Sequence, residues 1–265
     1  MTGPDGTSHR GTCPLCGGES GPFWEPRGFS KCRTCTLVFR TQSPTQDDLT
    51  RLYTASWSDP ESNLSETGGT DDRLADLYAR KLNHAVRSRG LAGQRILDFG
   101  AGRGAMLRAL RHLGAYVVAI EPFGYARLQA QGFSVFRSVA ELPTGLELDG
   151  IVTLDVIEHL PTPWATLRDL GALLRTGGWM FTATPNGHSL AARVHGPRWR
   201  DATNPGHLVV LSPKSLATAL AAAGFTRYAR LRWFIRYDDR VGRRFVHWGL
   251  QAARMDGELR YLAWK

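Results

Sequence analysis

All four cysteines of this 265-residue chain lie within its first 35 residues, as two C-x-x-C pairs. Cys13 and Cys16 form the first pair, Cys32 and Cys35 form the second, and fifteen residues separate the pairs. Two such turns facing each other bring four thiolates into one tetrahedral set, so the spacing predicts a zinc ribbon. Four thiolates leave no open position for water, which indicates structural rather than catalytic zinc. A module of about 45 residues has little core, so metal binding should supply much of its stability.

Other uses of the cysteines fit less well. A disulfide framework needs an oxidising compartment, and the stretch Met1–Gly6 has no basic-then-apolar signal. A redox pair would not explain two pairs at ribbon spacing. The apolar stretches are too short to span a bilayer, so we expect a cytoplasmic protein without a membrane partner.

Charge leaves two alternatives open. The formal net charge is +9, and the basic residues are mostly arginine. Between Arg193 and Arg260 twelve arginines stand against five acids. This region could receive an anionic or carrier-linked small molecule, or it could simply be a solvated basic surface.

Behind the ribbon, the pattern predicts alternating strands and helices. An amphipathic helix is expected over about residues 71–89, and later helices should begin at Thr162–Pro163, at Ser212–Pro213 and near Arg240. The first two of these later helices should end at Gly177 and Gly224, and the third at about Arg254. The predicted strands are Arg95–Phe99, Tyr116–Ile120, Ser134–Phe136, Gly150–Leu154, Trp179–Ala183, Phe225–Tyr237 and Glu258–Trp264. Such alternation calls for an α/β fold with a parallel sheet wrapped by helices on both faces. We divide the chain into a ribbon (1–45), a linker with the first helix (46–90) and an α/β domain (91–265).

A glycine-rich loop follows the first strand of this domain. Gly100, Gly102 and Gly104 stand between that strand and a helix, where glycines let the backbone approach a ligand. Glu121 ends the next strand and offers two oxygens to ribose hydroxyls. These features alone do not separate a nicotinamide dinucleotide from S-adenosylmethionine. Asp98, just before the glycines, favours the latter, because it would attract a cationic amino group and repel a pyrophosphate.

Four segments resemble successive motifs of class I S-adenosylmethionine-dependent methyltransferases, a Rossmann-like family. The segments are Ile96–Gly104, Ala119–Pro122, Asp155–Leu160 and Leu173–Gly178. The resemblance covers roughly residues 91 to 237. The cysteine ribbon, with Pro44 and the Leu52–Tyr53 segment behind it, resembles that of a bacterial subgroup found in sugar, polysaccharide and natural-product pathways.

The resemblance implies a role for each matching residue. Asp98 and the three glycines would surround the methionine part of the cofactor, and Glu121 would hold the ribose. Pro122, Phe123 and Ser138 would border the adenine. Asp155 and Val156 would line the sulfonium end of the pocket. Where this chain has Ser138 the family often has an acidic residue, so this position departs from the pattern.

Methyl transfer mainly requires that the two reactants be held in line, with a base where the acceptor is a hydroxyl. His159 and His207 are the candidate bases, although each could instead only hydrogen-bond the backbone. His188 and His195 stand in the same long connection as His207 and are further options.

The connection itself, Thr184–Leu211, is too long for a plain linker, so it indicates a lid or a substrate-binding segment. Arg198 and Trp199 within it are candidates for acceptor binding, with loop packing as the alternative. Tyr53 and Trp57 could cover the cofactor, with packing again as the alternative.

Three functions follow. The first is methylation of an oxygen, nitrogen or carbon of a small molecule such as a sugar, a nucleotide-linked sugar or a natural-product intermediate. The second is RNA methylation, because some ribosomal-RNA guanine methyltransferases also carry an N-terminal zinc ribbon, although usually with a histidine ligand. The third is a catalytically silent domain in which the ribbon mediates protein association, which the intact Asp98, glycine loop and Glu121 argue against. The sequence predicts no oligomeric state.

Overall fold

The computed structural model describes residues 11–42, 44–58, 72–86, 90–233 and 248–265. Its strands are β1 Ser20–Phe23, β2 Phe29–Cys32, β3 Val38–Arg40, β4 Arg95–Phe99, β5 Tyr116–Ile120, β6 Ser134–Phe136, β7 Leu148–Leu154, β8 Leu174–Pro185, β9 Val209–Val210, β10 Arg227–Arg230 and β11 Glu258–Trp264. Its main helices are α1 Gln46–Ser58, α2 Asp72–Ala85, α3 Ala105–His112, α4 Tyr125–Ala130, α5 Pro163–Ala172, α6 Leu190–His195, α7 Arg200–Thr203 and α8 Pro213–Ala222. Within these ranges no helix has the length and apolar character needed to cross a bilayer.

A seven-stranded sheet in the order β10–β11–β8–β7–β4–β5–β6 forms the centre of the molecule. Strands β4 to β8 run parallel, whereas β11 is antiparallel to both β8 and β10. Successive residues of β4 face opposite sides: Ile96 packs with α2 and α3, and Leu97 packs with α5 and α8. The predicted α/β fold with helices on both faces is therefore confirmed.

The strand order reverses at β4, which has β5 on one side and β7 on the other. Ligands of such sheets bind at the carboxyl ends of the strands beside this reversal, because the two loops diverge there and leave a crevice. The glycine loop after β4 and the segment after β7 both begin at this point.

Some element boundaries differ from the prediction. Helix α5 ends at Ala172 rather than at Gly177, and β8 begins at Leu174 rather than at Trp179. The reason is pairing across the sheet: Leu174 lies opposite Leu148, and an irregularity follows where Gly177 takes a φ of 75°.

The predicted elements near the C-terminus lie partly within the described residues. Within the predicted strand 225–237 only Arg227–Arg230 is a strand, and residues 234–237 lie outside the described residues. In the predicted basic helix, residues 248–252 are helical and 240–247 lie outside the described residues. The closing strand Glu258–Trp264 has the predicted bounds.

Helix α1 occupies part of the segment that the sequence indicated as a polar linker. Its start is capped reciprocally: Thr45 Oγ1 accepts the N–H of Asp48 at 3.2 Å, and Asp48 Oδ2 accepts the N–H of Thr45 at 3.1 Å. The Thr45-Gln-Asp-Asp48 pattern could have predicted this helix. The side chain of Trp57 lies outside the described residues, so its predicted role stays untested.

The cysteine module forms a second sheet, in the order β1–β2–β3–β9. Strand β9 comes from the connection Thr184–Leu211 and pairs antiparallel with β3. Thr36 Oγ1 lies 2.6 Å from Ser212 Oγ, at the start of α8. The module therefore shares its sheet and packing with the α/β domain, and the predicted division at residues 45 and 90 stays a prediction.

Candidate functional site

The glycine loop makes a sharp turn directly after β4. Gly100, Gly102 and Gly104 all have positive φ, at 76°, 52° and 81°. A Cβ on Gly100 would lie 2.4 Å from a methyl group of Val156, and one on Gly104 would lie 2.7 Å from a methyl group of Leu128. The backbone geometry and the close neighbours thus both call for glycine at these two positions.

Replacing Gly100 by alanine tests this turn. We expect the free energy of unfolding to fall by about 1–2 kcal/mol from the left-handed φ alone, with a further loss from the contact with Val156. Thermal melts of Gly100→Ala, Val156→Ala and the double variant separate the two parts. The double variant should recover only the stability that Gly100→Ala loses through the contact with Val156. Full recovery of the free energy of unfolding would mean that the backbone is not strained.

Asp98 is the predicted cation-binding carboxylate, and it lies buried beside this loop at 2% exposure. Its Oδ2 has no hydrogen-bond partner among the described residues. Burial, with a smaller contribution from the charge of Glu121, raises the pKa of Asp98 to about 7. A buried carboxyl without a partner suits a ligand that brings a positive charge, because such a charge would compensate the lost hydration.

Glu121 binds the backbone of both neighbouring loops. Its Oε2 accepts the N–H of Gly102 at 2.8 Å, and its Oε1 accepts those of Phe123 at 3.0 Å and Gly124 at 3.2 Å. Burial raises the pKa of this carboxyl, and the three N–H donors oppose the rise. A carboxylate has about four lone-pair sites, so about one remains for a ribose hydroxyl.

The other predicted cofactor residues lie around this centre. The ring of Phe123 packs against that of Tyr53 of α1 in a tilted arrangement with centroids 5.2 Å apart, so α1 covers the loop after β5. Pro122 beside it is exposed. Ser138 is half-buried two residues past β6. Val156 packs on Gly100.

A cavity of about 440 Å³ opens next to this site, beyond the end of β7. Its lining residues come from the β7 exit and from the long connection: Asp155, Glu158, His159, Pro185, Arg200, Asp201, Thr203, Asn204, Pro205 and His207. Because Val156 contacts the glycine loop and Asp155 lines the cavity, the two sites adjoin.

His159 and His207, the predicted bases, lie together in this cavity with ring centroids 4.7 Å apart. Nδ1 of His159 lies 3.0 Å from the carbonyl oxygen of Gly206, and Nδ1 of His207 lies 2.9 Å from that of Asp201. The carbonyl oxygen of Asp201 only accepts, so Nδ1 of His207 carries the proton and its Nε2 keeps its lone pair. Nδ1 of His159 has two neighbours: it donates to the Gly206 carbonyl in one tautomer and accepts from the Tyr53 hydroxyl in the other. The Tyr53 hydroxyl lies 2.8 Å from Nδ1 of His159. Burial lowers the pKa of His159 to about 4 and that of His207 to about 3, so both rings are neutral near pH 7.

Three carboxyl groups, those of Asp155, Glu158 and Asp201, line the cavity. Burial, followed by the charges of Glu258 and Asp201, raises the pKa of Asp155 to about 8. Burial, followed by Asp155, raises the pKa of Glu158 well above its usual range. Asp155 has an unusual φ of 51°, which turns the chain from β7 into the cavity wall. An anionic acceptor stays a prediction, and these acids weigh against a negative charge at the centre of the cavity.

The four cysteines converge, with all four sulfur atoms within 4.8 Å of one another. Cys13 Sγ lies 3.6 Å from Cys35 Sγ, and Cys16 Sγ lies 3.5 Å from Cys32 Sγ. Tetrahedral zinc with bonds of about 2.3 Å places sulfurs roughly 3.8 Å apart, so the set fits zinc. Disulfides would need about 2.05 Å. Burial opposes ionisation of Cys32, but the N–H groups of Cys35 and Thr34 lower its pKa to about 7.

Arg40 connects the cysteine module to the cavity, and the sequence did not single out this role. Its guanidinium donates to the carbonyl oxygens of His207 at 2.9 Å and Asn204 at 3.2 Å, while its backbone N–H donates to that of Leu208 at 2.9 Å. Glu158 and Asp201 were likewise missed as cavity residues. Glu158 stands inside the quoted Asp155–Leu160 motif, whereas nothing in the sequence places Arg40 or Asp201 at the cavity.

The remaining candidates lie elsewhere. Trp199 is buried and packs at 6.0 Å on Trp24, as expected for loop packing, and Arg198 is exposed. His188 contacts Arg193, and His195 is exposed. In the basic C-terminal stretch, Arg230 and Arg260 are largely buried and pair with Asp256 and Glu258, so at least these two arginines serve the fold.

The seven-stranded sheet, with the glycine loop at its strand-order reversal, defines a class I methyltransferase fold. The chain belongs to the family described as "Methyltransferase domain", whose profile matches residues 70–229. A solved S-adenosylmethionine-dependent methyltransferase from Archaeoglobus fulgidus superposes with a TM-score of 0.55 at 18% identity, covering 74% of this chain and 95% of that chain, which supports the fold alone.

Curated relatives carry the name ubiquinone biosynthesis O-methyltransferase. The protein from Nitrosococcus oceani is 36% identical over 126 residues, which is 43% of this chain and 52% of the relative. The protein from Xylella fastidiosa is 29% identical over 235 residues, 82% of this chain and 88% of the relative. The alignments with the relatives from Nitrosococcus oceani and Aeromonas salmonicida span about half of the length of those two proteins.

Proposed function

We propose that this chain transfers the methyl group of S-adenosylmethionine to an oxygen atom of a small molecule held in the cavity beside β7. The observation that carries the proposal is Asp98, a buried carboxyl at the glycine loop whose Oδ2 has no hydrogen-bond partner among the described residues. It suits the ammonium group of the cofactor and would repel a pyrophosphate. Family membership supports methyl transfer, and the names of the curated relatives support a small acceptor and an oxygen atom.

Each part of the site has a role in this proposal. Asp98 binds the ammonium group, the backbone at Gly100, Gly102 and Gly104 lies against the methionine part, and Glu121 accepts a ribose hydroxyl. Pro122, Phe123 and Ser138 border the adenine, and Asp155 and Val156 stand at the sulfonium end. In the reaction the bond from the methyl carbon to the sulfonium sulfur breaks while the bond to the acceptor oxygen forms. The sulfur keeps the electron pair and leaves as a neutral thioether.

The acceptor hydroxyl must lose its proton in this reaction. His159 and His207 line the cavity as neutral imidazoles, each with one ring nitrogen that can accept a proton. We propose that this pair governs where the proton goes, and that the acceptor belongs to the sugar or natural-product class that the resemblance implies.

RNA is a weaker candidate acceptor. Phosphate binding by a protein depends on cationic side chains. The cavity instead presents Asp155, Glu158 and Asp201, and Arg200, the one arginine among the described lining residues, pairs with Asp201 at 3.6 Å.

We also propose that Cys13, Cys16, Cys32 and Cys35 hold a structural zinc ion. The closed thiolate set supports the ribbon geometry, with no part in the chemistry of the cavity.

The direct test is transfer of a labelled methyl group from S-adenosylmethionine to a panel of hydroxylated small molecules, with calorimetry of cofactor binding beside it. We expect binding of S-adenosylhomocysteine and no binding of NAD. Retention of NAD with no affinity for S-adenosylhomocysteine would overturn the proposal.

The affinity for S-adenosylhomocysteine should depend on pH through Asp98. Only the ionised carboxyl attracts the ammonium group, and its pKa is about 7 before the ligand binds. The dissociation constant should therefore rise about tenfold for each pH unit below 7 and level off above it. Calorimetry between pH 5.5 and 8.5 measures the slope, and Asp98→Asn should remove it. A flat profile in the wild-type protein would contradict the role of Asp98.

A further inference from the structure

A second group of metal-ligating side chains lies inside the cavity, apart from the cysteines. Glu158, His159 and His207 each offer one ligand atom, and these atoms lie within 4.8 Å of one another. Donors bound at 2.0–2.2 Å around one ion stand roughly 3–4 Å apart, so small side-chain rotations close the set.

The two imidazoles are oriented as metal ligands usually are. Each Nδ1 lies at hydrogen-bond distance from a backbone carbonyl oxygen, that of Gly206 for His159 and that of Asp201 for His207, and Nδ1 of His159 is also 2.8 Å from the Tyr53 hydroxyl. Such hydrogen bonds fix the tautomer and direct the Nε2 lone pair to a metal. Neither Nε2 has a hydrogen-bond partner in the described part of the chain.

The third ligand, Glu158, provides an independent observation. Its side chain is only 1% exposed, and Thr184 Oγ1 donates to Oε2 at 2.9 Å. Its Oε1 is buried and has no hydrogen-bond partner among the described residues. Such an oxygen is costly to keep without a partner, and a cation in the cavity would supply one.

The surrounding charges also favour a cation. Asp155 and Asp201 line the same cavity, and Arg200, the one arginine among its described lining residues, is largely exposed and pairs with Asp201. A divalent cation would supply the positive charge that these buried carboxyl groups need in their ionised form.

We propose that Glu158, His159 and His207 bind a divalent first-row transition cation through two imidazole nitrogens and one carboxylate oxygen. This donor set suits Mn²⁺, Fe²⁺, Co²⁺ or Zn²⁺ better than Mg²⁺ or Ca²⁺, which prefer oxygen ligands only. Three protein ligands leave coordination positions open towards the cavity.

The role of the ion depends on the proposed function, although the site itself does not. A hydroxyl oxygen that binds an open position becomes more acidic, as metal-bound water does. The histidines then act on the acceptor through the ion, and its proton leaves to solvent instead of to an imidazole.

The test uses the full chain with its cysteine site loaded with zinc, and Mn²⁺ as the probe. Electron paramagnetic resonance follows the loss of the free Mn²⁺ signal during titration. We expect one Mn²⁺ per chain, and at least tenfold weaker binding in Glu158→Gln and His207→Gln. The matched control is His195→Gln, the same substitution at an exposed histidine of the same connection, which should bind Mn²⁺ like the wild type.

Co²⁺ gives a second readout. Bound at the proposed site, it should show d–d bands without the thiolate charge-transfer absorption of a cysteine site. Absence of binding for Mn²⁺, Co²⁺ and Zn²⁺ beyond the cysteine site at millimolar concentration would overturn the proposal. Equal weakening by His195→Gln would also overturn it.

Binding of S-adenosylhomocysteine separates this proposal from the proposed function. Each variant should keep that affinity and its melting temperature, which excludes unfolding as the cause of lost Mn²⁺ binding. If His207→Gln does not fold, Glu158→Gln decides the outcome, because the amide keeps the size of the side chain. Cation binding without cofactor binding would support the metal site and contradict the methyl-transfer proposal. Cofactor binding without cation binding would support methyl transfer and contradict the metal site.

Discussion

Asp98→Asn is expected to weaken the binding of S-adenosylhomocysteine roughly 100-fold or more, which is about 2.7 kcal/mol. The amide has the same shape but cannot attract an ammonium group as a charge-assisted partner does. Asp98 is buried, and its Oδ2 has no hydrogen-bond partner among the described residues, so this oxygen is free to bind the ammonium group. Calorimetry at pH 8 measures the loss.

The same substitution should stabilise the fold at pH 8. Burial raises the pKa of Asp98 to about 7 in the folded state, whereas in the unfolded chain it is near 3.9. The folded state is therefore penalised progressively as the pH rises from about 4 to 7, and fully above 7. Asparagine removes this penalty, so the melting temperature at pH 8 should rise while the affinity falls.

The control is Asp169→Asn, at an exposed carboxylate that pairs with Arg168. It should change neither property. Unaltered binding in Asp98→Asn, or equal losses in both variants, would mean that the cofactor lies elsewhere.

Cys35→Ser is expected to abolish zinc binding at the cysteines and to unfold the small sheet. Cys35 is 2% exposed, and its sulfur belongs to the set of four. Zinc contributes about 10–16 kcal/mol in isolated zinc-finger peptides, so the loss should exceed what this module can otherwise gain from its core. A thiol-modifying reagent should release one equivalent of zinc from the wild type and none from the variant.

Unfolding of the small sheet should loosen the cavity wall but leave the proposed cofactor site intact. Strand β9 pairs with β3, and Arg40 binds the carbonyl oxygens of Asn204 and His207. Amide hydrogen exchange over residues 204–210 should therefore accelerate strongly. Binding of S-adenosylhomocysteine should persist, because Asp98 and Glu121 belong to β4 and the loop after β5.

The control is Arg33→Gln, an exposed residue between Cys32 and Cys35 that pairs with Glu19. This variant should keep its zinc, and its amide hydrogens over residues 204–210 should exchange as slowly as those of the wild type. If Cys35→Ser does not express, removal of zinc from the wild type by a chelator provides the same comparison. Loss of zinc with unchanged exchange at 204–210 would contradict the coupling.

The cofactor half of the site could be predicted from sequence because it depends on neighbours along the chain. Asp98, the glycines and Glu121 sit at the ends of adjacent strands, and parallel pairing brings such ends to one edge. Backbone geometry then requires glycine at Gly100, where φ is 76°. The roles of these residues towards the cofactor remain predictions.

The acceptor half could not be predicted to the same extent. Tyr53, Glu158 and Asp201 come from three distant segments, and the charge balance of the cavity depends on which acids face one another. The basic count from Arg193 to Arg260 suggested a positive surface, yet Arg230 and Arg260 pair internally with Asp256 and Glu258. Net charge does not reveal such pairing, because each pair depends on burial and distance.

The sequence by itself determined the two cysteine pairs, the alternation of strands and helices, and the glycine loop with its carboxylate, since all three follow from spacing of a few residues and from local backbone preferences. Only the tertiary structure decided that β9 joins the cysteine module, that Arg40 holds the loop of His207, and that Glu158, His159 and His207 meet. Those contacts join residues far apart in the chain, and packing rather than local preference brings them together.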